Sequence, residues 1–277
     1  MSEIVEIADH YGRCDLTERL KTALAAAGLG EGRLSPVELA PLDQFHSRGL
    51  AATIDLAAAA GIEPGAEVLD IGSGLGGPSR YLAANFGCHV RGIDLSPAFV
   101  EAAIFLAERS RLADKVAYQC ADALDLPYAA NSFDIAWTQH VAMNIADRDR
   151  LYAEAFRVLR GGGRLAIFDV VAGATGPLHF PVPWSRGPET SFLVTPAAMR
   201  EVLGRQGFRV VSWTDRTEAG IAWFAERQKA QAQSTGAASA LGLHIAMGPD
   251  FSMMSANLGR NLREWRAALV EAILERP

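Results

Sequence analysis

Residues 70–77 read Asp-Ile-Gly-Ser-Gly-Leu-Gly-Gly, between an apolar run (EVLDI) and a helix-forming stretch (PSRYLAANF). Gly72, Gly74 and Gly77 fit the spacing GxGxxG. Glycines there permit a tight turn and close approach of backbone to a ligand. The helix that follows offers free N–H groups and the positive end of its dipole. Asp94 lies 20 residues beyond Gly74, where a carboxylate can accept both hydroxyls of a ribose. Asp122, after the next strand in QCADAL, can accept a hydrogen bond from an adenine amino group. The chemistry indicated is capture of an adenine nucleoside. The same residues also fit a nucleotide-dependent oxidoreductase.

Asp70 separates the two readings. It stands immediately ahead of the glycines, where a carboxylate crowds a pyrophosphate and welcomes an ammonium group. Adenosine joined to an amino-acid tail carries that ammonium and no phosphate, which favours S-adenosylmethionine. Transfer of its methyl group needs an aligned acceptor and, for many acceptors, removal of a proton. His140 follows the fourth strand in TQHVAMNIAD and suits a base with a pKa near neutrality. Asn144 can contact substrate, and Asp169 closes the fifth strand on the same edge.

Strand–helix alternation must position these groups. The spacing predicts strands at 67–71, 90–93, 116–120, 133–138 and 164–170, with helices at 78–86, 97–111 and 148–159, the last closed by Gly161–Gly163. Such βαβ units give a doubly wound, mostly parallel sheet with helices on both faces. Ahead of it, Leu16, Leu20 and Leu24 mark a helix over 15–28, Pro36 and Pro41 a polar turn, and 49–60 a second helix. The expected division is an N-terminal helical cap at 1–60 and a ligand-binding domain at 61–277. Inside the latter, 171–195 and 218–265 read as lid segments, the first rich in Gly and Pro. His179, Trp184 and Phe192 lie in one; His244, Phe251 and Met253 lie in the other. Trp184 and Phe192, with Phe180, Trp223 and Phe224, can form a cage for a methylated ammonium.

Composition narrows the partners. The 277 residues are 49% hydrophobic and 21% charged, with a net charge of −6, a poor match to nucleic-acid binding. No tetrapeptide N-P-P-[YF] follows the fourth strand. No apolar run reaches membrane-spanning length, and the acidic N-terminus reads as having no export leader. Three scattered cysteines suit a reducing cytoplasm, and no histidine or cysteine spacing suggests a metal site.

The segments 67–83, Asp94, 121–137 and 157–169 resemble the successive motifs of class I S-adenosylmethionine-dependent methyltransferases. Within that superfamily the chain is similar to the small-molecule branch around sarcosine/dimethylglycine, phosphoethanolamine and tocopherol methyltransferases. ADHYGR and DQFHSRG resemble that branch's cofactor-covering helices. The resemblance implies a Rossmann-like methyltransferase fold and S-adenosyl-L-methionine as cofactor, leaving S-adenosyl-L-homocysteine. It implies that Asp70, Gly72, Ser73 and Gly74 meet the methionine portion, Asp94 and Leu95 the ribose and adenine, Asp122 and Ala123 the adenine edge, and Gln139 the methionine tail. Tyr11 would reach the cofactor carboxylate, and His46 would come over the cofactor as a second catalytic histidine. Substrate contacts fall to Asn144, His179, Trp184 and His244. The expected activity is methylation of a small molecule, either an amine such as a glycine derivative or a hydroxyl or carbon of a secondary metabolite. A non-catalytic cofactor-binding regulatory protein is the alternative of another class. A homo-oligomer is compatible with all of this.

Overall fold

The structure is a computed structural model and describes residues 15–233 and 241–277. Tyr11 lies outside the described residues, as do Cys14 and the Ser/Thr/Gly/Ala stretch at 234–240.

Seven strands form one sheet among the described residues, in the order β3-β2-β1-β4-β5-β7-β6. They are β1 (Glu67–Ile71), β2 (His89–Asp94), β3 (Val116–Cys120), β4 (Phe133–Gln139), β5 (Leu159–Ala172), β6 (Arg209–Asp215) and β7 (Ala267–Glu275). The first five are parallel, and β7 runs antiparallel between β5 and β6. The expected doubly wound, mostly parallel sheet is borne out. Strand order reverses at β1/β4, and ligands of such sheets bind at the carboxyl ends beside that point.

Helices cover both faces: α1 (Leu16–Ala26), α2 (Pro36–Asp43), α3 (Leu50–Ala60), α4 (Gly77–Phe86), α5 (Pro97–Ser110), α6 (Arg148–Val158), α7 (Pro196–Arg205), α8 (Thr217–Gln233), α9 (His244–Met247) and α10 (Phe251–Arg263). The polar turn expected around Pro36 and Pro41 is instead α2. Pro36 sits in its first turn, and a capping box joins Ser35 and Glu38. Pro41 lies inside this short helix, where it leaves one backbone acceptor without its intrahelical donor. Gly161–Gly163 do not close a helix. They lie inside β5, whose pairing with β4 is irregular there. The lead at 15–60 packs onto the core through a buried ion pair, Arg80 to Asp43 at 2.7 Å. Leu16, Leu20 and Leu24 are buried with Phe99 and Leu106 of α5.

Candidate active site

The loop after β1 is folded around Asp94. The N–H groups of Gly72 and Ser73 donate to the Ile93 carbonyl at 2.9 and 2.8 Å. Asp94 accepts from the Gly74 N–H and the Ser96 N–H, both at 2.9 Å. Two of its roughly four acceptor positions remain for a ligand, and burial raises its pKa. Gly72 has φ +73°, and a Cβ there would stand 2.5 Å from Val141. At Gly74 a Cβ would meet Phe45 at 3.0 Å. Backbone at this loop is therefore as close to its neighbours as it can be.

Behind the loop, Asp70 accepts the Ser79 hydroxyl at 2.6 Å and is 2% exposed. Burial pushes its pKa up to about 7, with the negative charge of Asp94 adding to the push and Ser79 opposing it. It is not on the cleft wall, and neither is Ser73. Asp122 closes an Asx turn on the Leu124 N–H at 2.8 Å; its neighbours Ala121 and Ala123 line the cleft in its place.

Beyond β4 the chain turns at His140, which has φ +54° and donates its N–H to the Phe168 carbonyl at 2.8 Å. Its ring stacks on Phe168 with centroids 5.2 Å apart. His46 lies one ring behind, edge-on to both. It is 4% exposed, held by the Gly49 carbonyl at 3.0 Å, and does not reach the cleft. The expected place for His46 over the ligand is thus corrected: α3 and β5 enclose it. Burial lowers its pKa to about 4 and lowers that of His140 well below the ordinary value. The near-neutral pKa expected for His140 is corrected in the same sense.

Three neighbouring side chains have a buried atom without a protein partner: Gln139 Nε2, His140 Nε2 and Asn144 Oδ1. Leaving such a group unpaired costs about 1–3 kcal/mol. Gln139 is held from its other end, where Oε1 accepts Trp137 Nε1 at 2.9 Å. Asp169 is a structural residue. It accepts the N–H groups of Ala142 and Val170, each at 3.1 Å, and burial pushes its pKa up to about 6 against the pull of Arg148.

Two segments close the cleft from above. Trp184 is 3% exposed and donates Nε1 to the Ser191 hydroxyl at 2.9 Å. The segment at 171–195, expected as a lid, meets the one at 218–265 along a polar seam. Asn257 donates to the Pro181 carbonyl, Asn261 exchanges bonds with the His179 backbone, and Arg186 pairs with Asp250. His179 belongs to this seam, its Nε2 2.7 Å from Glu264, and is not in the cleft. His244 lies on a separate cavity with Phe224 and Arg227. Both histidines were expected at the substrate, and packing of the lid segments against each other takes them elsewhere.

The resulting cleft holds about 990 Å³ of empty space, partly open to solvent. Gly72, Gly74, Asp94, Leu95, Ala123, Gln139, His140, Asn144 and Trp184 line it. Phe45, Phe99, Met143 and Met247 also line it, and sequence reasoning missed all four. Phe45 was adjacent to a candidate in DQFHSRG, and Phe99 lies five residues beyond Asp94. Nothing in the sequence marked Met247. No cluster that could hold a metal occurs among the described residues.

Residues 69–167 match a family described as a methyltransferase domain. The chain is 35% identical over 171 residues to methyltransferase GfsG of Streptomyces halstedii, covering 61% of this chain and 59% of that one. It is 35% identical over 162 residues to erythromycin 3''-O-methyltransferase of Saccharopolyspora erythraea, covering 58% of this chain and 50% of that one. The chain thus spans little more than half the length of these relatives. Among solved structures, a geranyl diphosphate methyltransferase with sinefungin superposes with TM-score 0.72 over 100% of both chains at 17% identity. The [4+2]-cyclase SpnF superposes with TM-score 0.66 over 93% of both at 24% identity. These two likenesses concern the fold. The glycine loop folded onto Asp94 and the sheet order accompany a match to a methyltransferase domain over residues 69–167.

Proposed function

We propose that the chain moves a methyl group from S-adenosylmethionine to a small-molecule acceptor. The observation that carries this is one cleft lined by Gly72, Gly74 and Asp94 together with Gln139, His140 and Asn144, each of which has an unpartnered buried atom. The residues fit the cofactor. A Cβ at Gly72 would collide with Val141 and one at Gly74 would press on Phe45, both of which line the cleft; Asp94 keeps free acceptor positions for ribose hydroxyls, and Leu95, Ala121 and Ala123 offer an apolar slot for adenine. Gln139 Nε2 is a free donor for the amino-acid tail. Asp70 lies behind the loop, where its carboxylate accepts the Ser79 hydroxyl.

When bound, S-adenosylmethionine supplies a methyl group already activated on a sulfonium. The protein's own work is to align, to exclude water and to handle a proton. Trp184 and the lid seam cover the cleft, and His140, uncharged, can take a proton at Nε2. Support also comes from the matched relatives, whose names describe methyl transfer. The structural neighbour named as a cyclase makes a direct test necessary, since one fold carries several chemistries. We further infer a cytoplasmic protein that acts on no nucleic acid, from its net charge of −6 and sparse cysteines. No helix of the described residues is long and apolar enough to cross a membrane.

Calorimetry tests the reading. S-adenosylhomocysteine should bind and NAD should not. Binding of NAD without S-adenosylhomocysteine would sink it in favour of the oxidoreductase alternative. Binding of S-adenosylhomocysteine with no transfer of labelled methyl to any extract of small metabolites would favour the non-catalytic one.

A further inference from the structure

The wall of the cleft beyond the glycine loop is apolar, set around neutral polar atoms. Met143, Ile145, Pro183, Trp184 and Met247 supply the apolar surface. Methionines fit irregular ligands well because they are unbranched and polarisable. The polar atoms without protein partners are an imidazole nitrogen of His140, an amide nitrogen of Gln139 and an amide oxygen of Asn144. Burial keeps His140 uncharged at neutral pH.

The charged groups near this wall are paired or stand off the cleft: Arg148 keeps a buried Nε without a partner but does not line it. Arg148 donates to the Phe192 carbonyl at 2.8 Å and lies 4.0 Å from Asp169. Asp169 accepts two backbone amides. Arg186 pairs with Asp250 at 3.0 Å. Among the described residues that line the cleft, the carboxylate is Asp94, bonded to the glycine loop.

A phosphate, carboxylate or ammonium entering such a wall would lose its hydration and meet no opposite charge. An apolar body gains by burial there. A hydroxyl both donates and accepts, so it can satisfy an unpartnered acceptor and an unpartnered donor at once. We propose that the methyl acceptor is an uncharged molecule with an apolar body, methylated on a hydroxyl oxygen that donates its hydrogen bond to His140 Nε2. This rests on the methyl-transfer reading above and chooses the hydroxyl over the glycine-type amine. In the step, the hydroxyl proton passes to His140 Nε2 and the oxygen bonds to the methyl carbon. The sulfur–methyl bond breaks with its electron pair kept on sulfur. The products are a methyl ether, a neutral thioether and an imidazolium that returns its proton to solvent.

Three probes of one shape test the charge requirement: 2-naphthol, 2-naphthoate and 2-naphthylmethylammonium. Each is titrated at about pH 7.5 into the full chain saturated with S-adenosylhomocysteine. The naphthol should bind roughly tenfold more tightly than either ion, or better. Equal or tighter binding of an ion, or no binding of the naphthol, overturns the proposal. A folded Met143→Arg variant, or Ile145→Lys where that one does not fold, should reverse the order in favour of naphthoate. An unchanged order overturns the siting. Failure of S-adenosylhomocysteine to bind at the outset would instead overturn the methyl-transfer reading, so the two failures are distinct.

Discussion

His46 and His140 stand edge to face, their ring centroids 6.1 Å apart and their planes at 72°, with Phe168 against both. One comes from the N-terminal lead and the other from the turn after β4. Burial depresses both pKa values, and His46 adds to the effect on His140. A buried pair of neutral imidazoles thus joins the cap to the cleft.

That pair makes stability depend on pH. His46 titrates near 4 in the folded chain, against 6.5 for an ordinary histidine. The unfolded chain binds the proton first as pH falls, so the contribution is complete above about 6.5 and is lost as pH drops through 4. It amounts to about 3 kcal/mol. Urea unfolding of His46→Gln between pH 7 and 4.5 should lose less stability than the wild type over the same range. Identical slopes would show that His46 is already accessible to protons.

His140 itself should carry the proton transfer. His140→Ala should lower turnover by roughly 10²–10⁴ while S-adenosylhomocysteine affinity stays near wild type. With its pKa well below 6.5, the wild-type rate should already be flat between pH 7 and 9. A rate still rising through pH 7 would mean that ligand binding restores an ordinary histidine pKa.

Asp70 acts in the opposite sense to His46. Its folded pKa, about 7, lies above the ordinary aspartate value of 3.8. The stabilisation is complete below about 3.8 and is lost as pH rises through 7, where a buried charge must form. Asp70→Asn removes that charge and keeps an acceptor for Ser79. The free protein should melt at higher temperature at pH 8, with weaker binding of S-adenosylhomocysteine. If binding is untouched, Asp70 does not sense the ligand's ammonium.

Two glycines with similar φ should respond differently to alanine. Gly28, at φ +74°, has nothing within 4 Å of where a Cβ would stand, whereas Gly72 would place one 2.5 Å from Val141. Gly28→Ala should cost about 1 kcal/mol, the backbone strain alone. Gly72→Ala should cost about 1–3 kcal/mol more through overpacking and should abolish cofactor binding. Chemical denaturation and calorimetry on the pair would read both. Equal effects would show that the loop has room to shift.

The strands from β1 to β5, their parallel order and the placing of Gly72, Gly74 and Asp94 at one edge were legible from the chain itself. Their signals are local: apolar runs of strand length, glycines after one of them, and a carboxylate at a fixed offset. A lone proline pair misled at 36–43, because the Ser35–Glu38 box outweighs Pro41 in a helix this short. Only the tertiary structure decided which histidines could meet a ligand. His46, His140, His179 and His244 look alike in sequence, yet one is enclosed, one lines the cleft, one is spent on Glu264 and one faces another cavity. Only it brought Phe45, Met143, Trp184 and Met247 to a single cleft. Burial and charge pairing depend on which distant segments pack together, and no spacing along the chain encodes that.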